Sequence, residues 1–288
     1  MSTVTSVEKS VHASVWQGSK KLVRVRRAIA LGWLHVAEAR LRNMLKWWVA
    51  ISVVGLGNPV LYLFSVGIGI GALVNANGGS GQLGGVSYLT FLAPALLSSA
   101  AVVAFQDETS FPVLEGFLWN KNFFAMNATP ITGRSIVGGV LAAAFVRALF
   151  TVVLYEGVLL IFGAITTAVL VPMFFSAMFA GLAFGSGMLA AASFVKEDEG
   201  FFAVVGRFVV APMMLFSGTF YPLESMPIYL QWVGWISPLW HATDLGRTLS
   251  YGHPQQLWVI ISHWVYLALW VFVGIPIANR KIAKRLAA

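Results

Sequence analysis

The sequence predicts an all-α integral membrane protein, and three observations carry that reading. Six apolar runs lie near residues 49–74, 86–106, 134–162, 168–194, 201–219 and 256–278. Each is about 20 residues or more, enough to cross a ~30 Å hydrocarbon core at ~1.5 Å per helical residue. The chain is 58% hydrophobic and 10% charged, against about 25% charged in a soluble domain. Its mean hydropathy is +0.78. The basic residues crowd the two ends beside apolar runs, so the net charge of +8 reads as a topology signal and a contact with anionic lipid, not as a nucleic-acid surface. Backbone in lipid must satisfy its own hydrogen bonds, which makes the runs helices. There is no cysteine, so disulfide and thiolate chemistry are excluded. The histidines show no metal-ligand spacing, and neither a metal site nor a catalytic site is expected.

Taken in order, residues 1–20 are read as an N-terminal cytoplasmic tail. Residues 21–48 predict an amphipathic interface helix. Leu22, Val25, Ile29, Trp33, Val36, Leu41, Met44 and Trp48 recur at helical steps, with Arg24, Arg27, His35, Glu38, Arg42 and Lys46 mostly between them. A basic face opposite a Trp-bearing apolar face suits a helix lying in the membrane interface. It reads as a lipid anchor, as a lever that meets a cytoplasmic partner, or as both. The six-helix transmembrane domain follows over 49–278, and 279–288 is a basic cytoplasmic tail.

The connections set the orientation. Lys9, Lys20, Lys21, Arg24, Arg26, Arg27, Arg40, Arg42 and Lys46 precede the first run; Arg280, Lys281, Lys284 and Arg285 follow the last. The connection at 75–85 carries no charge, whereas 107–133 carries Lys121 and 195–200 carries Lys196. The positive-inside rule puts both termini and the 107–133 and 195–200 connections in the cytoplasm. The expected location is the cytoplasmic (plasma) membrane of a bacterium.

Three connections carry readings of their own. The inner loop 107–133 is long and aromatic, and Phe111, Leu114, Phe117, Leu118, Phe123, Phe124 and Met126 predict one or two short helices with an apolar face. It reads as a knob for a protein socket or as a segment folded back on its own bundle. The run Lys196–Gly200 reads as a solvated turn or an acidic contact. The outer segment 217–247 is rich in Trp and Tyr and broken at Pro222, Pro227 and Pro238. It predicts two short re-entrant helices that cap a cavity.

These features together resemble the membrane subunit (permease) of type-2 ABC exporters, in the nodulation-factor and daunorubicin-type export branch. The stretch Met213–Arg247 carries the resemblance most specifically, through Ser217, Gly218, Phe220, Tyr221, Pro222, Met226, Pro227, Pro238, Leu239, His241, Asp244 and Arg247. The likeness implies two ABC ATPase subunits as partners, a second permease subunit that is identical or paralogous, and ATP and Mg bound on the ATPase. No cofactor is expected in this chain, which has no G-x-x-x-x-G-K-[ST] loop for phosphates and is not expected to be an enzyme alone. The likeness also implies a coupling element in the inner loop, here Phe117, Leu118, Trp119, Asn120, Lys121, Phe123, Phe124 and Met126. Phe220, Tyr221, Pro222, Trp235, Pro238, His241, Asp244 and Arg247 are the candidate outer gate.

Charges inside the runs are the candidate path residues. Arg147 and Glu156 lie in the third run and Arg207 in the fifth. Ionisable groups at that depth are costly and usually face protein or water. Counting from the cytoplasmic end puts Arg147 about 20 Å up, near mid-depth. Arg147 reads as a path residue drawn to an anionic or polyhydroxylated headgroup, or as half of an interhelical pair. His241, Asp244 and Arg247 are spaced to share one side of a helix, so Asp244 is expected to pair with either neighbour. Gly67/Gly71 and Gly181/Gly185 are small-residue pairs that permit close helix approach.

The expected function is outward, ATP-driven movement of an amphipathic substrate (drug, lipid, glycolipid or lipid-linked glycan). A secondary transporter is the alternative, though no inverted repeat is evident. An intramembrane lipid-modifying enzyme comes third.

Overall fold

The computed structural model describes residues 29–76, 81, 83, 85–197 and 200–287, and every regular element among them is helical. The 1–20 tail, the first part of the expected 21–48 helix, much of the 75–85 connection and Asp198–Glu199 of the acidic turn lie outside the described residues. The helices are α1 (Gly32–Leu45), α2 (Trp48–Tyr62), a π-helical stretch (Leu63–Ile70), α3 (Gly71–Ala76), α4 (Tyr88–Thr109), α5 (Phe111–Phe117) and α6 (Asn122–Asn127). They continue with α7 (Gly133–Ile161), α8 (Leu170–Phe194), α9 (Phe201–Val205), a second π-helical stretch (Gly206–Val210), α10 (Ala211–Phe216), α11 (Ile228–Ile236), α12 (Pro238–Tyr251) and α13 (Leu257–Leu286).

Side-chain caps fix several starts. Ser87 accepts from the Thr90 N–H at the head of α4, and Thr132 accepts from the Ser135 N–H at the head of α7. Each hydroxyl occupies one of the backbone donors that a helix start leaves unpaired. Ser237 caps α12, with Pro238 at a first-turn position that needs no backbone donor, and Gly252 (φ +72°) closes it in the left-handed region.

Among the described residues, four helical stretches are long and apolar enough to cross a membrane: Tyr88–Phe117, Gly133–Ile161, Thr167–Phe194 and Leu257–Leu286. The first and fifth apolar runs contain the shorter apolar helices Val60–Val74 and Phe201–Phe216. The fifth run ends at Phe216, ahead of the turn at Gly218 (φ +69°). The second run continues past 106 to Thr109, so Asp107 and Glu108 stand on a helix; ion pairs described below neutralise both. The sixth continues through the basic tail to Leu286, with Lys284 and Arg285 in its last turn, where cations complement the helix dipole.

Helix α8 is the hub, packed on α4, α7, α12 and α13. Its contact with α4 is close because of the glycine pair read from the sequence. A Cβ on Gly181 would stand 2.5 Å from Phe105 Cδ2, and one on Gly185 2.8 Å from Phe105 Cδ1. The amphipathic helix α1 packs along α7, seating Trp33 over Gly138 and Val36 over Gly139. Its buried stripe is Gly32, Val36 and Ala37, while Leu45, Trp47 and Trp48 at and beyond its end stay exposed.

Candidate functional site

The inner loop splits the residues expected to dock a partner. Phe117 and Phe123 are buried and meet edge to face, with ring centroids 5.1 Å apart. The Arg285 guanidinium lies 4.0 Å from the Phe117 ring and donates to the Val195 carbonyl at 2.6 Å. Leu118 and Met126 pack against the same core. Thus Phe117 and Phe123 fold back on the bundle, joining its hydrophobic core. Trp119, Asn120, Lys121 and Phe124 remain exposed. They lie on and around the turn between α5 and α6, where Lys121 takes a left-handed backbone conformation (φ +50°).

Above this loop, four charges form a chain. Arg40 of α1 donates to Glu108 Oε2 at 3.1 Å and to the Pro112 carbonyl at 3.4 Å. Arg147 of α7 donates to Glu108 Oε1 at 3.0 Å and also pairs with Asp107. Arg147 is therefore an interhelical partner, level with the last turn of α4. The first turns of α7 lie against α1, with Gly138 and Gly139 beneath Trp33 and Val36. Glu108 is sealed, with its side chain 6% exposed, whereas Asp107 is 44% exposed. Arg40, Asp107 and Glu108 were not singled out from the sequence. The available signal was two adjacent acids ending one apolar run beside an arginine inside the next.

Two cavities meet at this chain. The upper one, about 520 Å³, runs between α2, α4, α7 and α10, from Asp107 and Arg147 to Thr219 and Phe220. Its wall is apolar except for these charges, the phenols Tyr62 and Tyr155, and the hydroxyls Ser99, Thr151 and Thr219. Ser99 Oγ and Thr219 Oγ1 themselves are buried, without a hydrogen-bond partner among the described residues. The lower cavity, about 440 Å³, is polar: Arg40, Asn43, Glu108, Glu115, Asn120, Asn122 and Arg147 line it, with Trp47 and Phe123. Arg147 and Ile51 border both.

The other two path candidates do not join this site. Glu156 is buried with Oε1 unpartnered among the described residues and does not line either cavity. Arg207 sits on an exposed face with Phe201, Val204 and Phe208.

The outer segment forms a short 3-10 turn at Leu223–Ser225 and the two helices α11 and α12. Of the candidate gate, Phe220 lines the upper cavity, accepts from the Tyr88 hydroxyl at 3.0 Å and stacks on Tyr62. Tyr221 and Trp235 are exposed, Pro222 is half-buried and Pro238 is buried at the head of α12. Helix α12 packs on α4, α8 and α13. Arg247 is buried, donates to the Gly218 carbonyl at 2.6 Å and lies 3.8 Å from the Phe91 ring centre.

Asp244 makes its direct contacts with neither expected neighbour. Its carboxylate accepts from Gln255 and lies 3.3 Å from Nε2 of His263 on α13. His241 instead reaches the Trp235 carbonyl through Nε2 at 3.0 Å and His263 through Nδ1 at 2.7 Å. A carbonyl only accepts, so His241 Nε2 carries the proton and its Nδ1 accepts from His263 Nδ1–H. Burial holds the His241 pKa down to about 4, against the opposing bond to Trp235 O. Burial pushes Asp244 up, yet His263 and the Arg247 charge prevail and hold it below the ordinary carboxylate value. Tyr251 is pushed up to about 12, chiefly by burial.

Residues 33–251, from α1 to the end of α12, match the family model described as ABC-2 type transporter. The chain belongs to the ABC-2 type transporter family. It is 30% identical over 260 residues to nodulation protein J of Rhizobium leguminosarum bv. viciae, covering 89% of this chain and 95% of that protein. It is 31% identical over 235 residues to nodulation protein J of Rhizobium meliloti (strain 1021), covering 78% and 84%. A more distant relative is the inner membrane transport permease YadH of Escherichia coli (strain K12), 22% identical over 200 residues, covering 69% and 75%. No solved structure matches the chain. This ABC-2 permease is therefore a membrane subunit of an ABC transporter of the nodulation-factor export branch, a family that associates with ABC ATPase subunits.

Proposed function

We propose that this chain is the permease half of an ATP-driven exporter that carries an amphipathic substrate from the cytoplasmic side outward. The observation that carries the reading is the upper cavity: an apolar wall with a charged inner end at Arg147 and Asp107 and a hydroxyl- and ring-bearing outer end at Thr219 and Phe220. Such a space suits a molecule with a greasy body and a polar head. In this reading all six apolar runs span the cytoplasmic membrane, both termini lie in the cytoplasm, and α11 and α12 re-enter the bilayer as the outer gate. Two ATPases bind ATP and Mg and dock on the α5–α6 turn through Trp119, Asn120, Lys121 and Phe124. A second permease subunit completes the assembly.

Co-expression with the ATPase encoded beside this chain tests the reading. A complex should co-purify and hydrolyse ATP, and Trp119→Ala with Phe124→Ala should weaken assembly without changing how the permease itself folds. If no ATPase binds the native chain, the exporter assignment fails.

A further inference from the structure

The chain Asp107–Arg147–Glu108–Arg40 stands where the two cavities meet. Asp107 faces the upper one, Glu108 and Arg40 the lower, and Arg147 both. The upper space is mostly apolar and the lower mostly polar, and Arg147, held by carboxylates, stands with Ile51 at the boundary of both. The two carboxylates hold it unequally. Glu108 is sealed and bound from both sides by Arg40 and Arg147; Asp107 is half-exposed. Solvent screens the exposed pair, whereas removing a partner from the sealed one leaves an uncompensated charge. The weak link therefore faces the cavity, and the strong link faces α1.

Arg40 ties this chain to the inner loop. One guanidinium nitrogen holds Glu108 at the end of α4, and another reaches the Pro112 carbonyl at the start of α5. Helix α5 leads directly into the exposed turn at Trp119–Lys121. Displacing that turn shifts Pro112, Arg40 and Glu108 together.

We infer that Asp107, Arg147, Glu108 and Arg40 form an inner gate, a charged partition that separates the two cavities at rest, and that Arg40 is its handle. The inference rests on the permease reading for its direction, but the partition is a property of this chain alone. A conformational change at the α5–α6 turn pulls on Arg40, loosens Glu108 from Arg147 and lets the guanidinium swing, joining the polar chamber to the upper cavity.

The chain has no cysteine, so one introduced thiol is its sole thiol. The test uses the full chain with its ATPase in sealed inverted vesicles and a charged, membrane-impermeant maleimide on the cytoplasmic face. Ser99→Cys reports the upper cavity and Asn43→Cys the lower. Asn43→Cys should react readily in every background. In the otherwise native chain Ser99→Cys should react slowly. Arg147→Gln or Arg40→Gln should speed it about tenfold, the scale of an ordinary coupling between two sites. Asp107→Asn keeps the Glu108–Arg147 bond and is the mildest change to the fold; it should speed Ser99→Cys by a smaller factor.

Labelling at position 99 that is equal in the native chain and all three variants overturns the gate, as does a lower cavity whose Asn43→Cys never reacts from that face. ATPase co-purification is read on the same vesicles. Bound ATPase with labelling that ignores the variants removes the gate and leaves the permease reading. Graded labelling without bound ATPase removes the permease reading and leaves the partition.

Discussion

The inner and outer charge clusters of this permease solve the same problem in opposite ways. The inner one pairs arginines with carboxylates across α1, α4 and α7 and borders two open spaces. The outer one is packed among α4, α8, α12 and α13, and two of its members are histidines in mutual contact. Arginine keeps its charge at any ordinary pH, so the inner cluster yields to displacement. The outer cluster contains His241, whose charge changes only once acid overcomes its burial, so it yields to protons. In the proposed exporter, one end opens by force and the other is held shut by hydrogen bonds whose direction depends on a single proton.

The sharpest test of the inner cluster is Glu108→Ala. It leaves Arg40 without a carboxylate and Arg147 with Asp107 alone, and should cost about 3 kcal/mol, the scale of breaking a buried pair, seen as a clear fall in melting temperature in detergent. For the outer cluster, Arg247→Met keeps the apolar stem but loses the donor to Gly218 O and the ring contact with Phe91. It should cost about 2 kcal/mol by the same melting assay. If Arg247→Met proves the costlier of the two, the ranking of the clusters reverses.

Acid should separate the clusters further. Free His241 would take up a proton near 6.5, but in the fold it resists until about 4. Its stabilising contribution is therefore present above 6.5 and lost as pH falls towards 4. A proton on Nδ1 would set two N–H groups against each other at the His241–His263 contact. Asp244, held below its ordinary value, contributes above that value and loses its contribution below it. Hydrogen exchange over 238–251, corrected for intrinsic rate, should therefore quicken from pH 7 to pH 5 more than exchange over 100–109. Equal responses would remove the distinction. The smallest effect belongs to Asp107→Ala, whose half-exposed pair should be worth under about 1 kcal/mol; a loss matching that of Glu108→Ala would erase the strong-link, weak-link asymmetry.

Much of this was legible before folding. The apolar runs, the amphipathic α1, the short helices at 111–127 and 228–251 and the Gly181/Gly185 contact all follow from local pattern. The outer stretch around Ser217–Arg247 resembled its family closely enough to point to the branch later matched. The pairings were less legible. Asp244 was expected to reach along its own helix and instead meets His263 and Gln255. The loop read either as a docking knob or as a segment folded back on the bundle, and the fold divides it: Phe117 and Phe123 are core, whereas Trp119 and Phe124 of the same tract are exposed. Arg40 was one basic residue among many in a basic stretch.

The sequence by itself determined the class, the helical segments and the family, because hydrophobic length, periodicity and turn chemistry act within a few residues of one another. Only the tertiary structure decided which charges meet, which rings are covered and where the cavities lie. Those outcomes depend on the relative height and rotation of helices that are distant in sequence. That register is set by close packing, as at Phe105 against Gly181 and Gly185 or Val36 against Gly139, and a shift of one turn would give every charge a different partner.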